Sequence, residues 1–282
     1  MELATLPTNP FHMSYSNRKP IQGVFHSHNV YEIYYFHGGR CNYLIGDKIY
    51  VLSPGDLIIM NGMTLHCANV DTETEYHRSI IHFDPAYVQP FLEMSHTVNI
   101  LKPFQDLRNY RIQLRGEDKT ELEEILARMD RWNPPKETIE FNRFRLAFID
   151  LLYFIYQYCQ KPLEERPEFP SDKEKHVQNI ISFVESHYNE DLHMEQLERH
   201  MHLSKYYLSK IFKDVTGVTI FDYLYQLRIN QAKILFLMNK EMSVTEACYQ
   251  VGFKHLAHFS RMFKAQVGCT PEQFRKQMKK QQ

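Results

Sequence analysis

With 282 residues, 43% of them apolar and 24% charged, the chain can bury packed cores and has room for about two domains at ~100–200 residues each, which excludes a globally disordered protein. Its 33 Lys and Arg nearly balance 34 Asp and Glu, and the net charge of −1 excludes a uniformly basic nucleic-acid coat. The balance hides an asymmetry: residues 1–170 hold 17 basic and 22 acidic side chains, net −5, whereas residues 171–282 hold 16 and 12, net +4.

The opening stretch, MELATLPTNP, has neither a basic nor an apolar region of the kind that makes a secretory signal. Residues 20–85 then read as β-structure. Short runs rich in Ile, Tyr, Val and Phe (30–36, 43–45, 49–52, 57–60 and 79–83) are separated by Gly38-Gly39, Gly46-Asp47, Ser53-Pro54-Gly55 and Asn61-Gly62. Strands this short, parted by turn formers, predict an antiparallel sandwich or barrel, with a tight hairpin over 45–49.

From about Asp118 the apolar period changes from two to about 3.6. Leu122, Ile125 and Met129 share one helical face, and after Pro134-Pro135 a second helix carries Leu146, Ile149, Tyr153 and Tyr156 in a stripe. These helices cap the sheet; the aromatic stripe is also a candidate dimer seam, because Tyr and Phe are favoured at interfaces. The most apolar stretch, 146–156, is too short to span a bilayer and contains Asp150. Pro162, Pro167 and Pro170, interleaved with charges, make a stiff polar connector, and everything beyond Asp172 reads as helical. The five cysteines (Cys41, Cys67, Cys159, Cys248, Cys269) are odd in number and include no CxxC pair, a pattern of free thiols in a reducing compartment.

The basic half contains a repeat. Leu208-Ser209-Lys210-Ile211-Phe212-Lys213, then Gly217-x-Thr219, returns 51 residues later as Phe259-Ser260-Arg261-Met262-Phe263-Lys264, then Gly268-x-Thr270. Upstream, Leu197 matches Ala247 and Met201 matches Val251, one residue out of register, as a turn of variable length would produce. Each unit is therefore a helix–turn–helix, made twice. In the first, Leu208, Ile211, Phe212 and Val215 face inward, leaving Lys205, Tyr206, Ser209, Lys210 and Lys213 outside. In the second, Phe259, Met262 and Phe263 face inward, leaving Lys254, His255, Ala257, His258, Arg261 and Lys264. An outer face of small, hydrogen-bonding and cationic residues behind a short turn suits a DNA major groove.

Over its last hundred residues the chain resembles the DNA-binding domain of the AraC/XylS family of bacterial transcription regulators. The resemblance is carried by Tyr223-Leu224-x-x-x-Arg228-Ile229-x-x-Ala232-x-x-Leu235, by Val251-Gly252-Phe253, and by Phe259-Ser260-Arg261-x-Phe263-Lys264-x-x-x-Gly268-x-Thr270-Pro271 with Phe274-Arg275. It implies seven helices, two recognition helices at 204–216 and 255–267, and a joining helix over 221–238. Glu198 and Cys248 stand where the family commonly has Ala; Cys248 is nearly as small, whereas Glu198 has to snorkel outward.

Residues 26–32, His-Ser-His-Asn-Val-Tyr-Glu, put His26, His28 and Glu32 on one face of an extended segment, and a later hairpin brings His66. Three imidazoles and a carboxylate suit Zn, Fe, Ni or Mn. The pattern resembles the two motifs of the cupin fold, with Asn61 and Met63 where Pro and Gly are usual, over roughly residues 24–85. Regulators of the resembled family commonly use this barrel to bind a small effector, often a sugar. The residues His26, His28, Glu32 and His66, with Tyr31, Tyr34, Tyr43 and Arg40 around them, are thus expected as effector ligands, as a metal site, or as a satisfied polar core.

The expectation is an α+β chain: an antiparallel β cupin barrel with accessory helices as sensor (1–115), a helical dimerisation segment and linker (116–172), and an all-α reader with two helix–turn–helix units (173–282). It would be a cytoplasmic, dimeric, effector-responsive activator of a carbohydrate or small-metabolite operon. Its expected partners are double-stranded DNA, a small-molecule effector, RNA polymerase and a second copy of itself, with no membrane. No catalytic residue is expected and no cofactor, a divalent metal in the barrel excepted. The competing expectations are a metal-dependent cupin enzyme (a dioxygenase or isomerase) fused to a DNA-binding domain, and a constitutive regulator whose barrel only dimerises.

Overall fold

The computed structural model describes residues 10–19, 24–161, 171–239 and 241–280. Eight strands come first: β1 Phe11–Asn17, β2 Tyr31–Gly38, β3 Cys41–Ile45, β4 Lys48–Val51, β5 Asp56–Asn61, β6 His66–Val70, β7 His77–Phe83 and β8 Tyr110–Gln113. They form two antiparallel sheets, in the orders β1-β7-β2-β5-β8 and β4-β3-β6. All five expected strands are present, and the hairpin closes with Ile45 opposite Lys48.

Strand β2 shows why its sequence is apolar at nearly every position. Tyr34 and Phe36 point between the sheets, where they meet Ile58, Met60, Tyr43, Ile45 and Ala68. Ile33 and Tyr35 point the other way, into a core with Leu57, Ile59, Ile81 and Phe83. A strand buried on both faces loses the usual alternation. These aromatic and aliphatic side chains form a buried cluster between the sheets.

Two short helices, α1 Gln89–Leu92 and α2 Lys102–Asp106, precede α3 Gly116–Asp130 and α4 Thr138–Cys159. Leu122, Ile125 and Met129 of α3 pack on the outer face of the five-stranded sheet, as do Phe144, Phe148, Leu151, Leu152 and Ile155 of α4. The helices do cap the sheet. The stripe expected as a seam lies on the opposite side of α4: Leu146 is 64% exposed and Tyr153 39%, while Ile149 and Tyr156 are half-buried.

Beyond residue 171, seven helices follow among the described residues: α5 Asp172–His187, α6 Met194–Met201, α7 Lys205–Thr216, α8 Ile220–Met238, α9 Val244–Gln250, α10 Leu256–Val267 and α11 Pro271–Lys280. The pairs α6–α7 and α9–α10 are the repeated units. The first turn is the shorter, since α6 ends at Met201 and α7 begins at Lys205, whereas α9 ends at Gln250 and α10 begins at Leu256. Counted from helix start to helix start, Met194 to Lys205 is 11 residues and Val244 to Leu256 is 12, and that extra residue is the slip in register between the copies. The repeated Gly-x-Thr also has a local cause. Gly217 and Gly268 end α7 and α10 at φ of 82° and 83°, where a Cβ would be strained. Two residues on, the Thr219 hydroxyl accepts from the Asp222 amide and opens α8, and Thr270 does the same for Gln273.

The outer face of the three-stranded sheet is not solvated. Leu44, Ile49 and Cys67, with Phe25 and Leu65, join Val177, Ile180, Ile181, Leu208, Ile211 and Phe212 in one apolar core. Gln178 on α5 accepts from the Ile49 amide at 3.0 Å, and Asn42 and Asn69 donate to the carbonyl of Val215 at 3.1 and 2.9 Å. Sensor and reader are packed against each other through α5, α7 and α8.

Candidate functional site

Glu32 lies at the start of β2, faces between the sheets and is buried. One carboxylate oxygen, Oε2, is 3.0 Å from His28 Nε2, 3.0 Å from His82 Nε2 and 3.5 Å from His66 Nε2. The Tyr43 hydroxyl donates to the other oxygen at 3.4 Å. Burial alone would push the Glu32 carboxyl up, but the close imidazoles of His28, His66 and His82 outweigh it and hold it well below the usual carboxylate range. His26 packs edge-on to His66 with ring centroids 4.1 Å apart. Burial, then repulsion from His66, pushes His26 down to about 4.

The local backbone explains the convergence. His26 forms an isolated antiparallel bridge with His66, so the segment before β2 runs beside the start of β6. Three of the imidazoles are pinned in the same way: Nδ1 of His26, His28 and His66 lies 3.0, 3.0 and 2.8 Å from the carbonyls of Val24, Val30 and Thr64. Donation to a carbonyl fixes the proton on Nδ1 and leaves Nε2 facing the site. One donor atom from each of His26, His28, Glu32 and His66 lies within 4.8 Å of the others, a set that could hold a divalent ion.

Two residues expected here are placed elsewhere. Tyr31 has the opposite strand parity to Glu32 and stacks on Phe104 at 5.3 Å, on the helix-facing side of the sheet. Arg40 sits in the exposed turn before β3, 3.9 Å from Asp71. Tyr34 and Tyr43 are in the barrel, both buried. His82 went unrecognised in the sequence because no motif marks it; it reaches the site as the cross-strand partner of Glu32 in the β2–β7 ladder.

The site opens toward the reader. A cleft of about 390 Å³ is walled on one side by Phe25, His26, Ser27, His28, Asn29, Met63 and Leu65. Its other wall comes from Gln226, Ile229, Asn230, Lys233 and Leu237 of α8, with Gln266, Val267, Phe274 and Met278. Ser27, between the two histidines, donates to Asn230 Oδ1 at 2.6 Å and accepts from Lys233, while Asn230 donates to the Met63 carbonyl at 3.2 Å. Burial lowers the Lys233 ammonium. Nothing in the sequence singles these contacts out, because Asn230 and Lys233 are two of six polar residues along α8, with Asp222, Gln226, Arg228 and Gln231.

On the reader, Lys205, Tyr206, Ser209, Lys210 and Lys213 of α7 are all exposed, as are Lys254, His255, Ala257, Arg261 and Lys264 on and before α10. His258 is half-buried, its ring 5.2 Å from Tyr225 and 5.4 Å from Phe253, so it packs as much as it projects. Lys205 pairs with Glu195 at 3.4 Å, and Lys254 pairs with Asp191. Glu198 is half-buried rather than thrust into solvent: its Oε1 accepts from the Lys205 amide at 2.7 Å, capping α7 with a negative charge at its positive end. Cys248 is fully buried, as its size allows.

Two family models match the chain: an AraC-like ligand binding domain over residues 15–132 and a helix-turn-helix domain over 197–277. The regulatory protein PocR of Salmonella typhimurium is 26% identical over 191 residues, 59% of this chain; the chain spans only 62% of that relative. An uncharacterized HTH-type transcriptional regulator from Pseudoalteromonas carrageenovora is 32% identical over 127 residues, 42% of this chain and 75% of its own. YbfI of Bacillus subtilis, likewise named an HTH-type transcriptional regulator, is 28% identical over 261 residues, 91% of this chain and 90% of its own. Among solved structures, ToxT from Vibrio cholerae aligns over 96% of this chain and 98% of its own with a TM-score of 0.41 and 12% identity. PocR is named a regulatory protein and the other two sequence relatives HTH-type transcriptional regulators, which favours a regulator over the metal-dependent enzyme. Among the described residues, no helix is long and apolar enough to cross a membrane. A ligand-binding domain ahead of a tandem helix–turn–helix reader makes the chain a member of the AraC/XylS family of transcriptional regulators.

Proposed function

We propose that the protein is a cytoplasmic, homodimeric activator that binds a small metabolite, a sugar or similar polar molecule, in the cleft between its sensor and reader. One observation carries this reading. Buried aromatic and aliphatic side chains cluster between the sheets, and a cleft of about 390 Å³ lies where His26 and His28 meet α8, within the size range of small-molecule sites. An effector there touches both domains, so it can favour one docking of the reader over another. It shifts that equilibrium only by its difference in affinity for the two states.

In this reading α7 and α10 enter successive major grooves. Lys205, Lys210, Lys213, Lys254 and Lys264 meet phosphates, while Tyr206, Ser209, His255, Ala257, His258 and Arg261 face base edges. The exposed stripe of α4 joins two copies, and the DNA-bound dimer recruits RNA polymerase. The effector lies against the cleft-lining faces of the His26 and His28 rings, while the ring nitrogens turned away from it are held by Glu32 and His66.

The test is footprinting of the full-length protein on the DNA upstream of its own gene, with and without a panel of sugars and sugar acids. The expected result is a protected box two helical turns long whose affinity responds to one compound. His28→Ala should remove the response and keep the footprint. A footprint indifferent to every compound, alongside unchanged melting temperatures, would return the protein to the constitutive class.

A further inference from the structure

The segment carrying His26 and His28 has two working faces. His26 and His28 point to one side, toward Glu32 and His66, and Ser27 between them points to the other, toward α8. The inward face has the geometry of a metal centre rather than of an organic pocket. Its four donor atoms lie within 4.8 Å of one another, close enough that a side-chain shift of about half an ångström brings all four onto one ion on bonds of about 2.1 Å. On bonds of about 2.1 Å, donors at right angles stand about 3.0 Å apart and donors at the tetrahedral angle about 3.4 Å. Glu32 Oε2 is 3.0 Å from His28 Nε2 and 3.5 Å from His66 Nε2.

Two further features point the same way. His66 Nε2 is fully buried without a hydrogen-bond partner, an arrangement that costs free energy unless something accepts its lone pair. Each of the three imidazoles also has its Nδ1 on a backbone carbonyl, the outer contact that orients a metal-bound histidine. His82, 3.0 Å from the same Glu32 oxygen, is a positioning residue for the carboxylate.

On the outward face, Ser27 is held by Asn230 and Lys233, and both belong to the helix that joins the two DNA-reading units. We propose that a divalent transition metal held by His26, His28, His66 and Glu32 fixes the 24–29 segment and, through Ser27, the docking of α8, so that metal binding in the sensor and the position of the reader are coupled. The coupling holds whichever effector occupies the neighbouring cleft, and does not rest on that reading.

Coupling of this kind is reciprocal: loosening the reader must weaken the metal. The test is a Co²⁺ titration of the full-length, chelator-treated protein, read by visible d–d absorption. Wild type should bind one ion per chain, and His66→Ala or the rim variant His26→Ala should lose affinity about tenfold or more. Asn230→Ala and Ser27→Ala change no ligand, yet each should weaken Co²⁺ by about fivefold or more. Asn179→Ala, on the exposed side of α5, should leave the titration unchanged. Absence of Co²⁺ binding by folded wild type would overturn the metal centre. Wild-type affinity in both Asn230→Ala and Ser27→Ala would overturn the coupling. Neither result depends on DNA binding or on an organic effector, so the proposed regulator reading stands or falls separately.

Discussion

The side-chain amide of Asn69, on the sensor strand β6, donates to the carbonyl of Val215, in the last turn of the first recognition helix, at 2.9 Å. Asn42 on β3 donates to the same oxygen at 3.1 Å. Helix-terminal carbonyls have no partner within their own helix, so these two amides supply what α7 cannot supply itself. Replacing both by Ala should cost about 0.5–1.5 kcal/mol for each bond lost, seen as a lower urea midpoint with an unchanged slope. A change confined to slope would mean that the two domains had uncoupled instead.

Stability should fall steadily on acidification below neutrality. The folded-state value of Glu32 is depressed, so its contribution is complete above the ordinary carboxylate value and is lost as pH falls through that value and below. His26 is lowered to about 4 from 6.5, so between those limits the unfolded chain binds the extra proton and is favoured. Both act in the same direction. Urea melts between pH 7 and 4 check this, and His26→Gln should flatten the curve between 6.5 and 4. A curve as steep as wild type would acquit His26.

The exposed face of α4 gives a direct test of assembly. Leu146→Glu with Tyr153→Glu adds charge where no buried neighbour is disturbed, and should convert a dimer to a folded monomer by light scattering. A wild type already monomeric at micromolar concentration would remove the seam.

Cations and the arginine fork should behave differently on DNA. Removing Lys210 or Lys213 should weaken binding to all sequences alike and reduce the salt slope by about 0.9 for each phosphate contact. Arg261→Ala should instead relax preference at one position by about 1–3 kcal/mol. Equal loss on every operator variant would make Arg261 a backbone contact.

Spacing provides the last test. Helix α8 packs against both reading units, through Tyr223, Leu224 and Leu227 on one side and Ile229, Ala232 and Phe236 on the other. The two recognition helices should therefore address grooves about 34 Å apart and no other spacing. Inserting about five or about ten base pairs between the half-boxes should abolish binding in gel shifts; recovery at ten would show that α8 bends or parts from one unit.

The reader was legible because its signals are local and occur twice. Leu208, Phe212 and Gly217 recur as Phe259, Phe263 and Gly268, and a turn glycine followed by a capping threonine needs only a few neighbouring residues to be recognised. The barrel was legible in its interior strands and in the hairpin strand β4, and not at its other edges. Strand β1, with Ser14, Ser16 and Asn17, and strand β8, Tyr-Arg-Ile-Gln, pair on one side only and carry too little apolar pattern to stand out. His26, His28, Glu32 and His66 converge as their spacing suggested, whereas His82 is fixed by ladder register. Tyr31 was misplaced by one residue of strand parity, which is enough to send a side chain through the sheet. Contacts between distant segments, such as Ser27 with Asn230, leave no trace in either stretch alone.

The apolar core shared by Leu44, Ile49, Leu65 and Cys67 with helices α5 and α7 bears on how such a protein can be rearranged. Two units joined by a tether alone can be exchanged freely among regulators, since each keeps its own surface. Here a reader grafted onto another barrel would carry Val177, Ile180 and Ile211 to a face shaped for different side chains. Recombination that preserves this chain's fold has to bring the three-stranded sheet along with the reader, so the portable unit runs across the boundary between the domains rather than along it.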